Sequence, residues 1–470
     1  MLMKIAFVHY HLKVGGVGSV LKRQVEAISS NCDTLVLTGD RATMELPCKI
    51  VEIPGLGYDR PEIAAPSPQQ VADKIRRAVF RRWPHGCDVL HVHNPLLAKN
   101  KQFLKIVALL QQEGMNLFLQ IHDFAEDGRP HLYFSEPYPA NCHYGVINTR
   151  DAGILQKAGL DKKGVHCLYN AVEDLSVDPS RRAKPCVLYP VRAIRRKNIG
   201  EAILLSLFFE KGYRLAITQP PNSPVDIESY RDWVRWVKDN HLSVDFDVGK
   251  KGRFIQIMRD SASVVTTSIA EGFGLSYLEP WTAGKLLWGR RLSDVCRDFE
   301  EKGVEFQSLY DALQVPLSWL NEIFFSHRWK NTVFQAARQY GNCVAAATVD
   351  RAYNNCTAEE KVDFGLLDEL SQRQVLRRLV CDPQARQELA GLNPWLTEVG
   401  TIADRSGTIE KNRRIILNHY GSSDYGKRLM TIYDKVVNCP IRHRIDKKIL
   451  CDAFFNLQHF SLLTWGAYTP

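Results

Sequence analysis

Short apolar runs that end in loops alternate with amphipathic stretches along the first part of the chain. "KIAFVHY", "DTLVLTG", "KIVEIP", "DVLHVHN", "LFLQIHD" and "YGVINT" have the length and content of buried strands. Helical stretches such as residues 101–114, "KQFLKIVALLQQEG", lie between several of them. That alternation predicts a parallel sheet covered by helices on both faces. Residues 171–185, "AVEDLSVDPSRRAKP", break the rhythm with polar residues and two prolines, as a linker does. The alternation then restarts with "CVLYPV", a helix over 198–211, "YRLAITQ", a helix over 226–241, "SVDFDV" and "SVVTTS". The pattern predicts an α/β protein of two doubly wound, Rossmann-like domains, residues 1–180 and 181–450. Ligands of such sheets bind outside the carboxyl ends of the strands, here in an interdomain cleft. After about residue 305 the strand rhythm weakens, and 310–420 reads as helices and loops. The final run "LCDAFFNLQHFSLLTW" is apolar enough for residues 451–470 to cross back onto the first domain.

Composition narrows the class. A chain of 470 residues is too long for one ordinary core. Hydrophobic content of 45% and charged content of 24% suit a soluble globular protein, and no stretch approaches the ~20 apolar residues that span a bilayer. "MLMKIAFVHY" reads as a strand, with no basic region or cleavage site of a leader, so a cytoplasmic protein is expected. The 12 cysteines form no C-x-x-C pair and read as scattered reduced thiols rather than a zinc site. A net charge of +9 favours anionic partners without choosing among them.

Four motifs sit at strand ends. "KVGGVGSV" places Gly15, Gly16 and Gly18 between a strand and a helix, either as a phosphate- or sugar-facing loop or as a plain tight turn. A dinucleotide fingerprint fails because position 21 is Leu21. "QIHDF" ends a strand with His122 and Asp123, which also suits a helix N-cap beside a satisfied histidine. In "HVHN", His91 and His93 share a strand face; without a third ligand they read as packing rather than metal binding. "PVRAIRRKNIGEA" offers Arg192 and Lys197 as two fixed cations for a diphosphate, while Arg195 and Arg196 favour a solvated basic loop. In "SIAEGFGLSYLEPW", Gly274 opens a helix whose first N–H groups, on Leu275 and Ser276, favour a phosphate. Glu271 can reach sugar hydroxyls. Glu279 suits a ribose diol, or else the capping-box partner of Ser276.

As a set, in the expected order along the chain, the glycine loop, the "HD" pair, "YNAV" (Asn170 to Val172), Arg192, Lys197, and Glu271 and Glu279 within "EGFGLSYLE" resemble family 4 of the retaining glycosyltransferases. The resemblance covers roughly residues 1–305 and implies the GT-B fold and a nucleotide-sugar donor. It implies that Gly16 and Gly18 face the donor diphosphate and the acceptor, and that His122 contacts the donor sugar near the reaction centre. Arg192 and Lys197 neutralise the leaving diphosphate, Glu271 holds the transferred sugar and Glu279 the ribose. The expected activity is hexosyl transfer with retention to a sugar, small-molecule or lipid hydroxyl, with no metal or other cofactor. Arg129 and His131, in "EDGRPHLYF" after His122, are candidates for an acidic group of the acceptor. Two departures stand out: Pro280 directly follows Glu279, and the long tail leaves room for a helical insertion at about 340–420 in a helical C-terminal extension.

The alternatives differ in class. One is a non-catalytic nucleotide-sugar-binding protein of the same fold. Another is a nucleic-acid binder prompted by pI 8.9, opposed by dispersed basic residues and no recognised motif. A third is peripheral membrane contact, with a lipid acceptor, through "DKIRRAVFRRWPH". There Arg76, Arg77, Arg81 and Arg82 flank Val79, Phe80 and Trp83, and an ordinary surface helix is the plainer expectation.

Overall fold

The computed structural model describes residues 2–13, 15–60, 62, 64–175, 183–399 and 406–468. They divide into two compact units, Met1–Ala171 with Tyr420–Phe455, and Val172–His419 with Asn456–Pro470. The division falls between Ala171 and Val172, ahead of the boundary expected near 180. Residues 176–182 of the expected linker, and Val14 of the glycine loop, lie outside the described residues.

The first unit carries seven parallel strands in the order β3-β2-β1-β4-β5-β6-β7. They are β1 (Met3–His9), β2 (Cys32–Thr38), β3 (Lys49–Glu52), β4 (Val89–His93), β5 (Leu117–Gln120), β6 (His143–Val146) and β7 (Val165–Cys167). Their apolar residues alternate between two buried faces, as the pleat requires. Ala6, Val8, Leu35 and Leu37 pack with α2 (Pro68–Arg82) and α3 (Phe103–Gln112). Ile5, Phe7 and Val36 pack with α1 (Gly16–Ile28) and with Tyr425, Leu429 and Tyr433 of the helix Tyr425–Asn438.

The basic helix α2 begins with a full capping box between Ser67 and Gln70, with Pro68 in its first turn. It buries Val71, Ala72, Ile75 and Val79 against the sheet. Arg82 pairs with Asp33 at 2.6 Å, and Trp83 Nε1 donates to the same carboxylate at 2.7 Å. Val79 and Trp83 therefore belong to the core, whereas Phe80 is exposed. Among the described residues, no helix is long and apolar enough to cross a membrane.

The second unit holds a six-stranded parallel sheet in the order β10-β9-β8-β11-β12-β13. Its strands are β8 (Cys186–Arg192), β9 (Arg214–Gln219), β10 (Val244–Asp245), β11 (Ser263–Thr266), β12 (Leu287–Arg290) and β13 (Leu309–Tyr310). The helix expected over 226–241 runs Pro224–Asp239, and that over 198–211 is Ile199–Ser206. The region after 310 contains the helices Glu322–Gln339, Ala346–Cys356, Glu369–Cys381, Pro383–Leu392 and Ser406–Tyr420. It also forms a small antiparallel pair, Gln314–Pro316 with Lys361–Asp363, that the strand rhythm did not announce.

The 340–420 region is tied into this unit by buried contacts. Arg290, at the end of β12, bridges Glu201 and Asp363 at 2.7 Å each. Tyr310 stacks on Trp395 at 3.7 Å.

The return to the first unit is made by Tyr420–Phe455 rather than by 451–470. Lys447 fixes it there, its ammonium lying 4.0 and 4.3 Å from the ring centres of Tyr133 and Tyr138. The last residues pack in the second unit instead. Phe460, Leu462 and Leu463 are buried, and Trp329 Nε1 donates to the Phe460 carbonyl at 3.2 Å.

Candidate functional site

In the first unit the candidate residues lie at the carboxyl ends of β1, β4 and β5. The glycines of the first loop differ in what demands them. A Cβ on Gly18 would fall 2.6 Å from the Lys13 carbonyl oxygen, so the fold itself requires glycine there. A Cβ on Gly15 or Gly16 would meet nothing within 4 Å. Internal packing leaves those two positions open, and α1 begins at Gly16 with no acidic residue in its first turn.

His122 follows β5 and is 6% exposed. Its Nε2 lies 2.9 Å from His93 Nδ1, and the two rings meet edge to edge, their centres 5.2 Å apart with 10° between planes. His93 in turn stacks on His91 at 4.4 Å. His91 Nδ1 is paired with Tyr433 Oη and Nε2 with Gln120 Oε1, both at 2.9 Å. The two "HVHN" histidines thus form a packed ladder behind His122 rather than a metal site. Burial holds all three neutral, lowering His91 to about 3, His122 to about 4 and His93 well below its ordinary value.

Asp123 does not cap a helix: it accepts from Arg129 Nη2 at 2.8 Å. Arg129, a candidate for the acceptor's acidic group, is therefore half-buried beside a carboxylate of its own unit. His131 is exposed in the 3₁₀ turn Pro130–Leu132.

In the second unit, two loops at the carboxyl ends of β8 and β11 are locked together. Tyr189 Oη donates to the Lys197 carbonyl at 2.5 Å and lies 3.1 Å from Ser268 Oγ. Thr267 Oγ1 donates to the carbonyls of Lys197 and Asn198, and Ile269 N–H to that of Arg196. The result is an ion pair between the two motifs, Lys197 Nζ to Glu271 Oε1 at 2.5 Å, with side chains 15% and 10% exposed. Burial pushes the Glu271 carboxyl up, but the Lys197 ammonium outweighs it and the carboxyl ends below its usual range. Arg192 donates to Gln219 Oε1 at 2.9 Å and to the Pro220 carbonyl at 3.2 Å.

Arg195 is not part of a solvated loop. It is 7% exposed and forks onto Glu369 at 2.5 and 2.9 Å. It also donates to the carbonyls of Gly466 and Leu462. The sequence reading missed this role because the partner lies 174 residues away. The signal available was the run of three cations, more than one diphosphate needs.

The stretch after Glu271 also differs from expectation. The helix expected from Leu275 is broken into a 3₁₀ turn, Leu275–Tyr277, and a short helix, Glu279–Thr282. Pro280, with no N–H to give, sits in the first turn of that second piece. Gly274, at φ 84°, starts the turn, and a Cβ there would strike Val295 at 2.7 Å. The turn's own bonds begin with Tyr277 N–H to the Gly274 carbonyl, so the N–H groups of Leu275 and Ser276 precede them. Ser276 Oγ donates to Glu271 Oε1 at 3.4 Å, and the short helix has Leu278 as its N-cap, with no side-chain cap bond from that residue. Glu279 is half-buried at the head of the short helix.

No family model matches the chain. A mannosylglucosyl-3-phosphoglycerate synthase of Petrotoga mobilis is 26% identical over 479 aligned residues, covering 91% of this chain and 90% of that protein. Among solved structures, HepE of Anabaena in complex with UDP-glucose matches with TM-score 0.54 and 12% identity, over 92% of this chain and 99% of that one. Sucrose-phosphate synthase of Thermosynechococcus elongatus matches with TM-score 0.53 and 13% identity over the same shares. The catalytic domain of starch synthase IV of Arabidopsis thaliana, bound to ADP and acarbose, gives TM-score 0.51 and 10% identity over 93% and 99%. The chain has the GT-B fold, two Rossmann-like units with a helix-rich C-terminal region, and resembles the nucleotide-sugar glycosyltransferases built on it.

Proposed function

We propose that the protein is a retaining glycosyltransferase that moves a hexosyl group from a nucleotide-sugar to a hydroxyl acceptor. The observation that carries this is the Lys197–Glu271 pair, which brings two motifs 74 residues apart into one site at the carboxyl ends of β8 and β11. The likeness to enzymes that handle UDP-glucose and ADP supports it.

In this reading the second unit binds the donor. Lys197 and Arg192 take the diphosphate, with the N–H groups of Leu275 and Ser276 beside them, and Glu279 takes the ribose. Glu271, released from Lys197 as the ammonium turns to phosphate, holds hydroxyls of the sugar. The first unit contributes His122 to the sugar, and Gly15 and Gly16 leave a backbone bare of side chains for a ligand's approach. The bond from the anomeric carbon to the diphosphate breaks, and the acceptor oxygen bonds to that carbon on the same face. The acceptor proton passes to the leaving phosphate. Negative charge grows on the leaving oxygens, so fixed cations stabilise the transition state more than the ground state.

The synthase likeness supports a phosphorylated, carboxylate-bearing acceptor of the phosphoglycerate-glycoside class. Arg129 and His131 are the candidates to meet it. The test is thermal-shift screening against UDP-, GDP-, ADP- and dTDP-sugars, followed by turnover with the stabilising donor. A ligand at 100 times its dissociation constant adds about 2.7 kcal/mol of stability. A protein that no nucleotide-sugar stabilises, and that turns none over, is not this enzyme.

A further inference from the structure

His93 and Asn94, consecutive at the end of β4, hold the His122–Asp123 corner in two ways. Asn94, in a left-handed conformation at φ 51°, accepts from the His122 N–H at 2.7 Å and from the Asp123 N–H at 3.2 Å. That fixes the backbone. The ring is held separately, by the 2.9 Å contact between His122 Nε2 and His93 Nδ1. His93 is fully buried between the rings of His91 and His122, so it has no room to turn.

Two neutral imidazoles in such a contact share one proton, and one ring must be the donor. If His122 donated, neutral His93 would carry its proton on Nε2. That nitrogen is buried and has no hydrogen-bond partner among the described residues. An orphaned buried N–H is rarer and costlier than an idle acceptor. If His93 donates from Nδ1, its Nε2 is only an unused lone pair, and His122 carries its own proton on Nδ1.

We propose that His93 is a positioning residue that fixes His122 as the Nδ1–H tautomer, so that His122 serves the donor sugar as a hydrogen-bond donor through Nδ1. The role given to the sugar rests on the glycosyltransferase reading above; the tautomer does not. The "HVHN" motif then exists to hold the "HD" motif. Asn94 holds its backbone and His93 sets the proton that its side chain has to give.

The test is the two-bond ¹H–¹⁵N spectrum of histidine-labelled protein, with the His122 signals identified by their loss in His122→Asn. The unliganded wild type should show the Nδ1–H pattern. His93→Leu, which removes the donor, should convert it to Nε2–H or a mixture. His93→Asn, whose amide can place an N–H near the Nδ1 position, should keep it. In turnover, His93→Leu should lower kcat at least about 10-fold, part of the roughly 10²–10³-fold that a preorganised hydrogen-bond donor contributes. Affinity for the free nucleoside diphosphate should stay unchanged, and His93→Asn should recover most of the rate. An Nε2–H pattern in the wild type overturns the inference even if His93→Leu fails to fold. So does an unchanged Nδ1–H pattern in a folded His93→Leu. No turnover with the Nδ1–H pattern intact would sink the transferase reading alone, and an active enzyme with Nε2–H would sink this inference alone.

Discussion

Removing one partner of the Lys197–Glu271 pair should affect stability and catalysis separately, and the pair's geometry sets the scale of each. At 2.5 Å, with an effective dielectric of about 20, two unit charges attract by about 7 kcal/mol. Both side chains are largely out of water, so desolvation takes back most of this and leaves a net coupling of about 2–3 kcal/mol. Lys197→Met leaves Glu271 with burial pushing its carboxyl up and its main opposing charge gone, while Glu271→Gln leaves the ammonium without its carboxylate. The second unit should lose about 2 kcal/mol in either single variant, a fall of roughly 4–8 °C in its melting temperature. The double variant removes both charges and should recover part of that loss, because the two sites share one interaction.

Catalysis should behave otherwise. In the proposed reaction Lys197 acts on charge that grows on the leaving diphosphate, so its loss should lower kcat roughly 10²–10³-fold. Restoring stability in the double variant should restore none of this rate. Melting curves and single-turnover rates on the three variants, with the stabilising donor, measure both effects. A Lys197→Met enzyme within about 3-fold of the wild-type kcat refutes the catalytic role. A double variant no more stable than the sum of the single losses shows that the ion pair is not a coupled unit.

Four further outcomes follow from the same geometry. Glu279→Ala should weaken binding of the free nucleoside diphosphate by about 1.5–3 kcal/mol, the value of a hydrogen bond to a charged acceptor; unchanged affinity by calorimetry rules out the ribose role. Arg192→Ala should lower kcat about as much as the Lys197 change, and EDTA should leave the wild type active; activity lost in EDTA and restored by magnesium or manganese overturns the assignment of charge stabilisation to these side chains. Ending the chain before Asn456 should lower the melting temperature, because Phe460, Leu462 and Leu463 leave the core and Arg195 loses the carbonyls of Leu462 and Gly466; an unchanged melting temperature with full activity would show the segment is dispensable. Burial lowers His9, His91 and His166 to about 3 and His122 to about 4, so their neutral forms belong to the fold. The unfolded chain binds these protons at about 6.5, so stability is complete above that pH. It should fall from there towards pH 4 by up to about 1.4 kcal/mol per pH unit per histidine; equal melting temperatures at pH 7 and pH 5 contradict this.

The sheets were legible because their central strands lie buried between two layers of helices and read as continuous apolar runs. β7, β12 and β13, two to four residues long, were not read as strands, although the equally short β5, β10 and β11 were. Lys197 and Glu271 could be named because residue type and the strand-end position each limit what a site can be. Their contact could not, since 74 residues separate them. Pro280 announced a disturbance next to Glu279, and the structure gives its form, a 3₁₀ turn followed by a short helix.

Arg195 and the C-terminal run show where sequence pattern stops being enough. An arginine in a run of cations looks the same whether it meets water or a buried carboxylate. Only the fold brings Glu369 and the carbonyls of Leu462 and Gly466 to it. Likewise an apolar run says that a surface will be covered, without saying which. Leu450, Cys451 and Phe454 are buried in the first unit, whereas Phe460, Leu462 and Leu463 are buried in the second. The run divides at Phe455 and Asn456, where the chain leaves the helix Lys447–Phe454 and Asn456 caps the next turn through its side chain. That split gives the last residues a function the composition did not suggest. By holding Arg195, they brace the loop that presents Lys197 to Glu271. A truncation at Asn456 should therefore reduce donor binding as well as stability, and one residue, Arg195, should carry much of both effects.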